Sequence, residues 1–468
     1  MKKGFDLIVI GGGAAGFAAV IKANELGAKA LMVNSGLPIG GTCVNVGCVP
    51  SKRLIHLAQI LHVVKSNSIN GIKISLESFD FSKVITDEIE LVRRMREEKY
   101  INVLKNLKNV QFIEGKAEFL SEREIRVNGE TYIAEKFVLA VGSKTGIPPI
   151  EGLKETGFIT HIEALSLKNR PRELMIVGAG PMGLEFGQLF SRFGTRVTIL
   201  EFQPTIFGPG EREIVIRLQK ILEKEGIVIK TNAKVLSAKK ESGKKVLTYL
   251  IDGEKYNISG DEILVAAGKV PNTDGLGLER AGVEIDERKA IVVNEYLETS
   301  NKNIYAAGDC INQPLRLETT AGKEGSIAAE NALTGSKKSI DYSSVPYTIF
   351  TDPELAGVGL TEAELMKRLG RCSCRVLELS NVPRAIINDS VEGAVKLVVH
   401  PDTKQILGVH ILAPNAGEII SYAMVIVKSK MTIYDVLETL PVFPSLSEAV
   451  KLCALSFIKD VSKLSCCV

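Results

Sequence analysis

Phe5-Asp6-Leu7-Ile8-Val9-Ile10-Gly11-Gly12-Gly13-Ala14-Ala15-Gly16 opens the chain with a short apolar run, a G-x-G-x-x-G pattern at Gly11, Gly13 and Gly16, and the start of a stretch of small residues. A second apolar run, Ala30 to Val33, ends at Asn34. The arrangement recurs as Leu174 to Val177, then Gly178, Gly180 and Gly183, then Val197 to Leu200 ending at Glu201. In both copies the closing polar residue falls 23 positions after the first glycine, 11 to 34 and 178 to 201, so the repeat keeps register. One glycine pattern is weak evidence. Two copies, each between a strand and a helix and each with a polar residue at the ribose-binding distance, predict two dinucleotide sites. The glycines permit a tight turn and close approach of a pyrophosphate, whose charge then meets backbone N–H groups at the helix start.

At 468 residues the chain exceeds what one hydrophobic core supports, so two to four domains are expected. Fifty-eight basic and 55 acidic residues leave a net charge of +3 with no long basic block, which disfavours nucleic acid as a partner. Met1-Lys2-Lys3 and the apolar run after it superficially resemble a signal peptide, but the glycines interrupt the run and the pattern continues as strand, turn and helix. A cytoplasmic location is expected. No apolar run reaches the roughly 20 residues of a membrane-spanning helix.

Asn303-Ile304-Tyr305-Ala306-Ala307-Gly308-Asp309 reads as strand then turn, placing Asp309 where a carboxylate could hold a ribityl hydroxyl. Val138-Leu139-Ala140-Val141-Gly142-Ser143 and Leu264-Val265-Ala266-Ala267-Gly268 read as strands that each close a nucleotide-binding unit, followed by Pro148-Pro149 and Pro271-Asn272 as linkers. After Ser343 the chain alternates strands such as Ala394 to Val399 and Gly408 to Leu412 with helices, and has no further glycine fingerprint. The expected fold is α/β: two Rossmann-like dinucleotide-binding domains plus a C-terminal α+β dimerisation domain. The boundaries are 1–146 and 271–342 for the two parts of a flavin domain, 147–270 for a nicotinamide domain, and 343–468 for the last domain.

The eight cysteines are too few and too dispersed for a disulfide-stapled scaffold. Cys43 and Cys48 stand in Gly41-Thr42-Cys43-Val44-Asn45-Val46-Gly47-Cys48-Val49-Pro50-Ser51-Lys52, just after the first dinucleotide fingerprint. A helix beginning near Cys48 would offer its positive end, lowering a thiol pKa, and the spacing over a helix start allows a disulfide. Cys466-Cys467 lies on a tail with no packing need for cysteine. Cys310 and Cys453 read as small buried hydrophobes. Cys372-Ser373-Cys374 is spaced too closely for an ordinary zinc pair and reads as an exposed turn without function.

With both fingerprints, the cysteine pair and Gly308-Asp309 in order, the whole chain resembles the pyridine nucleotide-disulfide oxidoreductases. Within them, the Gly40 to Lys52 segment, Asn381-Val382-Pro383-Arg384-Ala385 and the ending Leu464-Ser465-Cys466-Cys467 resemble the mercuric reductases. The resemblance implies FAD on Gly11, Gly13, Gly16, Asn34, Gly41, Thr42, Lys52, Gly142 and Asp309. It implies NADH or NADPH on Gly178, Gly180, Gly183, Glu201 and Gly268. Cys48 would be the thiolate facing the flavin, Cys43 the exchanging thiol, Lys52 a neighbour of the flavin paired with Glu185, and Tyr100 a further site residue. Cys466 and Cys467 would pass Hg(II), or its small-thiol complexes, from one subunit of a homodimer to Cys43 and Cys48 of the other. Mercury chemistry agrees, because the ion is soft and favours thiolates. Phe350-Thr351-Asp352-Pro353-Glu354-Leu355-Ala356 resembles the start of the family's dimer-interface domain.

The departures sharpen the expectation. Disulfide reductases of this family carry a histidine in a His-Pro-x-x-Ser-Glu pattern, but here the sequence is Phe443-Pro444-Ser445-Leu446-Ser447-Glu448. The five histidines, at 56, 62, 161, 400 and 410, lie elsewhere, which disfavours the alternative of an NAD(P)H-dependent disulfide reductase such as dihydrolipoamide dehydrogenase. Mercuric reductases usually have tyrosine at this position, so Phe443 also lacks a hydroxyl that could assist metal transfer. Asn34 replaces the acid expected on the flavin ribose, and can accept through its carbonyl oxygen. Glu201 would bond a free 2′-hydroxyl and repel a 2′-phosphate, favouring NADH, although mercuric reductases commonly use NADPH.

Overall fold

Strand β1 (Lys3–Ile10), helix α1 (Ala14–Glu25) and strand β2 (Ala30–Asn34) form the first crossover unit, with Leu7 opposite Ala30 and Ile10 opposite Val33 in parallel register. The computed structural model describes residues 3–65, 71–313, 315–463 and 465. All five residues of β2 are buried, as a strand covered on both faces requires, which is why Ala30 to Val33 is apolar without alternation. The sheet has seven strands in the order Val110–Glu114, β2, β1, Glu130–Leu139, Glu124–Val127, Ala117–Ser121. Ile304–Ala306 completes it, pairing in parallel with Glu130–Leu139 and so setting the following Gly308-Asp309 turn at the same sheet end as the first glycine loop. Two helices follow β2: the short α2 (Gly41–Val46) and α3 (Cys48–Lys65).

The second unit repeats the plan with β3 (Glu173–Val177), α4 (Pro181–Arg192) and β4 (Arg196–Leu200), in a four-stranded parallel sheet completed by Val228–Lys230 and Glu262–Val265. Its twin geometry has a steric cause. A β-carbon on Gly16 would strike the Gly11 carbonyl oxygen and one on Gly183 would strike that of Gly178, so each helix approaches its strand only because the third glycine has none. The passage at Pro271 is itself a short strand: Lys269–Pro271 pairs antiparallel with Ser143–Thr145, so the two passages between the units are hydrogen-bonded to each other. Proline is tolerated there as the terminal residue of a short strand.

Helix α5 (Glu318–Thr334) packs against α1, where Gly325 lets its backbone rest on the Ala15 carbonyl. The C-terminal part holds a five-stranded antiparallel sheet, ordered Tyr347–Ile349, Glu354–Gly359, Ile406–Ala413, β6 (Ala394–Val399), β5 (Ser373–Glu378). It is tied to the second unit by buried Arg192, whose guanidinium donates to Glu225 and, at 2.8 Å, to Asp352. Among the described residues no helix is long and apolar enough to cross a membrane.

Candidate active site

The turn carrying the first cysteine is built by Asn45. Its amide donates to the carbonyls of Gly41 at 2.8 Å and Pro38 at 2.9 Å, while Arg96 donates to its oxygen at 2.8 Å. This draws Gly41 onto the glycine loop: a β-carbon there would lie 2.6 Å from the Gly13 Cα, and φ is +63°. Cys43 and Thr42 therefore sit directly over the first fingerprint, in α2.

Cys48 is the first residue of the 18-residue helix α3, where unpaired N–H groups and the helix dipole favour negative charge. Its pKa is lowered, first by a hydrogen bond from Cys43 and then by the charge of Lys52, against the opposing effect of burial. Cys43 is raised, first by that same bond, then by burial and by the charge of Cys48, with Glu318 adding further. The shared hydrogen bond and the Lys52 charge thus favour negative charge on Cys48 over Cys43. Glu318, in the first turn of α5, hydrogen-bonds Cys43, and burial raises its own pKa.

Lys52 lies one turn along α3 from Cys48, on the same face. Its ammonium is 2.8 Å from Glu185 Oε2 on α4 and 4.5 Å from the centroid of the Phe350 ring. Glu185 is buried, and its other oxygen accepts from the Phe350 amide at 3.0 Å. Tyr100 lies on a single π-helical turn, Glu97–Ile101, with its ring edge-on to Phe17 at 4.9 Å and beside Gly40. Burial, then the charges of Glu318 and the two cysteines, push its hydroxyl up to about 12.

The two cysteines, Lys52 and Glu185 open on a cavity of about 1670 Å³ that Gly11, Gly13, Asn34, Gly41, Thr42, Gly142, Asp309 and Glu318 also line, whereas Tyr100 is not among its lining residues. Gly16 lies behind it, holding α1 to β1. Asp309 accepts from Ser143 at 2.7 Å, and the Gly308 amide donates to Glu324 at 2.7 Å. Asn34 is buried; its carbonyl oxygen accepts from the Gly12 amide at 3.1 Å and its amide donates to Leu37, so it also shapes the loop. A cavity lined by the first glycine loop, the cysteine pair and the Asp309 carboxylate fits a flavin dinucleotide.

In the second unit, Glu201 sits one residue past β4, and its two oxygens accept from the amides of Ala179 at 2.6 Å and Gln203 at 2.7 Å. Gly178 has φ +108°, and Gly180 faces open space ahead of α4. Gly268 has φ +112° and directly precedes the strand paired with Ser143–Thr145. His161 also lines the cavity, within 3.3 Å of the Thr145 hydroxyl and 3.4 Å of the Lys269 ammonium; burial, then that charge, push it down to about 4.

Cys466 and Cys467 lie outside the described residues. Cys310 and Cys453 are fully buried, as expected. The exposed turn expected at Cys372 and Cys374 is not found: both are half-buried, and Cys374 belongs to β5. Glu318, Phe350 and Ser143 were not foreseen. Each is brought in from a distant part of the chain, and the single local hint was an acid in the first turn of the helix after Gly308-Asp309.

Residues 5–325 match the model of the pyridine nucleotide-disulphide oxidoreductases and residues 345–454 that of their dimerisation domain. Mercuric reductase of Lysinibacillus sphaericus is 39% identical over 463 residues, covering 99% of this chain and 84% of that one. Dihydrolipoyl dehydrogenase of Thermus scotoductus is 39% identical over 452 residues, covering 95% and 96%. The solved Cu(II) complex of the HOCl-induced flavoprotein disulfide reductase RclA from Escherichia coli superimposes with a TM-score of 0.87 at 28% identity, over 98% of this chain and 100% of that one. With two fingerprints, a cysteine pair at one cavity and full-length relatives of this kind, the chain belongs to the pyridine nucleotide-disulphide oxidoreductase family.

Proposed function

We propose that the chain reduces Hg(II) to elemental mercury at the expense of NAD(P)H. One observation carries the reading: Cys43 and Cys48, at the start of α3, open with Lys52 and Glu318 on one cavity. FAD, when bound, would accept hydride from the nicotinamide and pass on the electron pair. The residues do the rest. Glu318 takes the Cys43 proton, both sulfurs bind the soft ion as thiolates, and Lys52 holds the site's charge near balance. The sum is Hg(II) plus NAD(P)H giving Hg(0), NAD(P)⁺ and one proton. The similarity to mercuric reductases supports the choice of metal.

The finer assignments belong to this reading: residues 1–146 and 271–342 holding FAD, 147–270 holding the nicotinamide, and 343–468 pairing two copies in a cytoplasmic homodimer. The exposed apolar run of Leu440, Val442 and Phe443 supports the pairing. Cys466 and Cys467 would deliver the metal, and Glu201 favours NADH.

Purified yellow protein is assayed for NAD(P)H oxidation with and without mercuric ion and excess small thiol, while volatile mercury is trapped. Mercury-dependent oxidation with matching metal release is expected. The second reading, a disulfide reductase, draws on the likeness to dihydrolipoyl dehydrogenase. Rapid turnover of dihydrolipoamide without mercury turnover would replace the first reading with it.

A further inference from the structure

Cys372 and Cys374 lie at i and i+2 where β5 begins, so their side chains share one face of the sheet. The two sulfurs are 3.0 Å apart, and Cys372 donates to Glu362 Oε1 at 3.2 Å. Glu362 is the first residue of the helix Glu362–Leu369, whose start is fixed by the Thr361 and Glu364 capping box. Its second oxygen meets Lys396 of β6 at 2.5 Å. Lys396 is buried and also holds Glu211 and Glu213, each at 2.8 Å, so three carboxylates face one ammonium and leave a local charge deficit of two. Two thiols and a carboxylate oxygen, all within 4.8 Å of one another, are thus held by a strand and a capped helix. None of the three residues lines the large cavity.

We propose that Cys372, Cys374 and Glu362 form a second binding site for a divalent thiophilic cation such as Cd(II) or Hg(II), separate from the Cys43–Cys48 pair. The donor set of two sulfurs and one oxygen selects soft d10 ions over calcium or magnesium. The Lys396 contact orients the carboxylate, as outer partners of metal ligands do. Ordinary thiols are protonated at neutral pH. Binding forms two metal–sulfur bonds and expels one proton from each thiol, with no change in oxidation state. The site does not rest on the reductase reading, since it holds the ion whether or not the flavin reduces one elsewhere.

The test uses the full-length, flavin-loaded protein with freshly reduced thiols and no nicotinamide, titrated with Cd(II). Bound metal is read by equilibrium dialysis, the thiolate–cadmium absorbance in the ultraviolet, and proton release in weak buffer. The wild type should bind one more equivalent per chain than C372S/C374S and release two more protons on doing so. E362Q should keep that equivalent but hold it roughly tenfold more weakly, the lower end for a disturbed ligand set. Retained flavin absorbance reports that each variant is folded. Equal stoichiometry in wild type and C372S/C374S would overturn the site, and unchanged affinity in E362Q would overturn its three-donor form.

Discussion

Lys52 of α3 places its ammonium 2.8 Å from the buried carboxylate of Glu185 on α4, joining the helix that begins at Cys48 to the helix that begins at the second glycine loop. Core side chains bring the two helices together, among them Leu54 and Ala58 on α3 and Phe186 and Phe190 on α4. The ion pair therefore spans both nucleotide-binding units and sets the charge beside the reactive sulfur.

Lys52→Met removes the positive charge that lowers Cys48 and leaves Glu185 with only the Phe350 amide. The thiol pKa of Cys48 should rise, read from thiolate absorbance across a pH titration of the reduced protein. Stability should fall by about 2 kcal/mol in urea unfolding, the scale of a lost hydrogen bond between charged groups. An unchanged titration would remove Lys52 from the electrostatics of the pair.

Glu318→Gln should lower the pKa of Cys43, because the carboxylate is one of the groups holding it up. The same change removes the proton acceptor, so mercury-dependent turnover should fall about 100-fold, the low end for a general base, while NAD(P)H binding stays as it was. A pH–rate profile that keeps its shape and height in the variant would argue against the role.

His161 gives the chain a pH dependence of known sign. The unfolded imidazole takes its proton near 6.5, whereas the folded one resists to about 4, so the unfolded state binds more protons between these values and stability falls as pH drops through that window. The full difference is about 3 kcal/mol at pH 4 and below. Comparison with H161Q across pH 4 to 7 isolates it, and parallel stability curves would contradict the assignment.

Arg192→Met should cost about 3 to 5 kcal/mol, because it strands Glu225 and Asp352 at the junction with the C-terminal sheet. Urea denaturation measures it. A loss below about 1 kcal/mol, the range of an exposed pair, would mean that the junction is open to water.

Glu201→Ser withdraws the acceptor of the Ala179 and Gln203 amides. On the proposed role of Glu201 in selecting NADH, kcat/KM with NADH should fall about tenfold, equivalent to roughly 1.4 kcal/mol, and the NADH-to-NADPH ratio should fall with it. An unaltered ratio would place nicotinamide selection elsewhere.

The local sequence already determined much of this molecule: the strand–glycine–helix units, the helix start at Cys48, and the burial of Cys310 and Cys453. In each, the relevant contacts lie within one unit or follow from apolar patterning, and an absent β-carbon leaves a readable spacing. The Lys52–Glu185 pair was expected from family resemblance alone, since nothing in the spacing of residues 133 apart signals a contact. Tertiary structure decided the remainder. Glu318 reaches Cys43 only because α5 packs on α1, Phe350 reaches Lys52 only because the C-terminal part docks on α4, and Cys372 and Cys374 meet Glu362 only where a strand and a helix converge. Such contacts form when distant surfaces bury each other, and that choice is made by the packed chain as a whole.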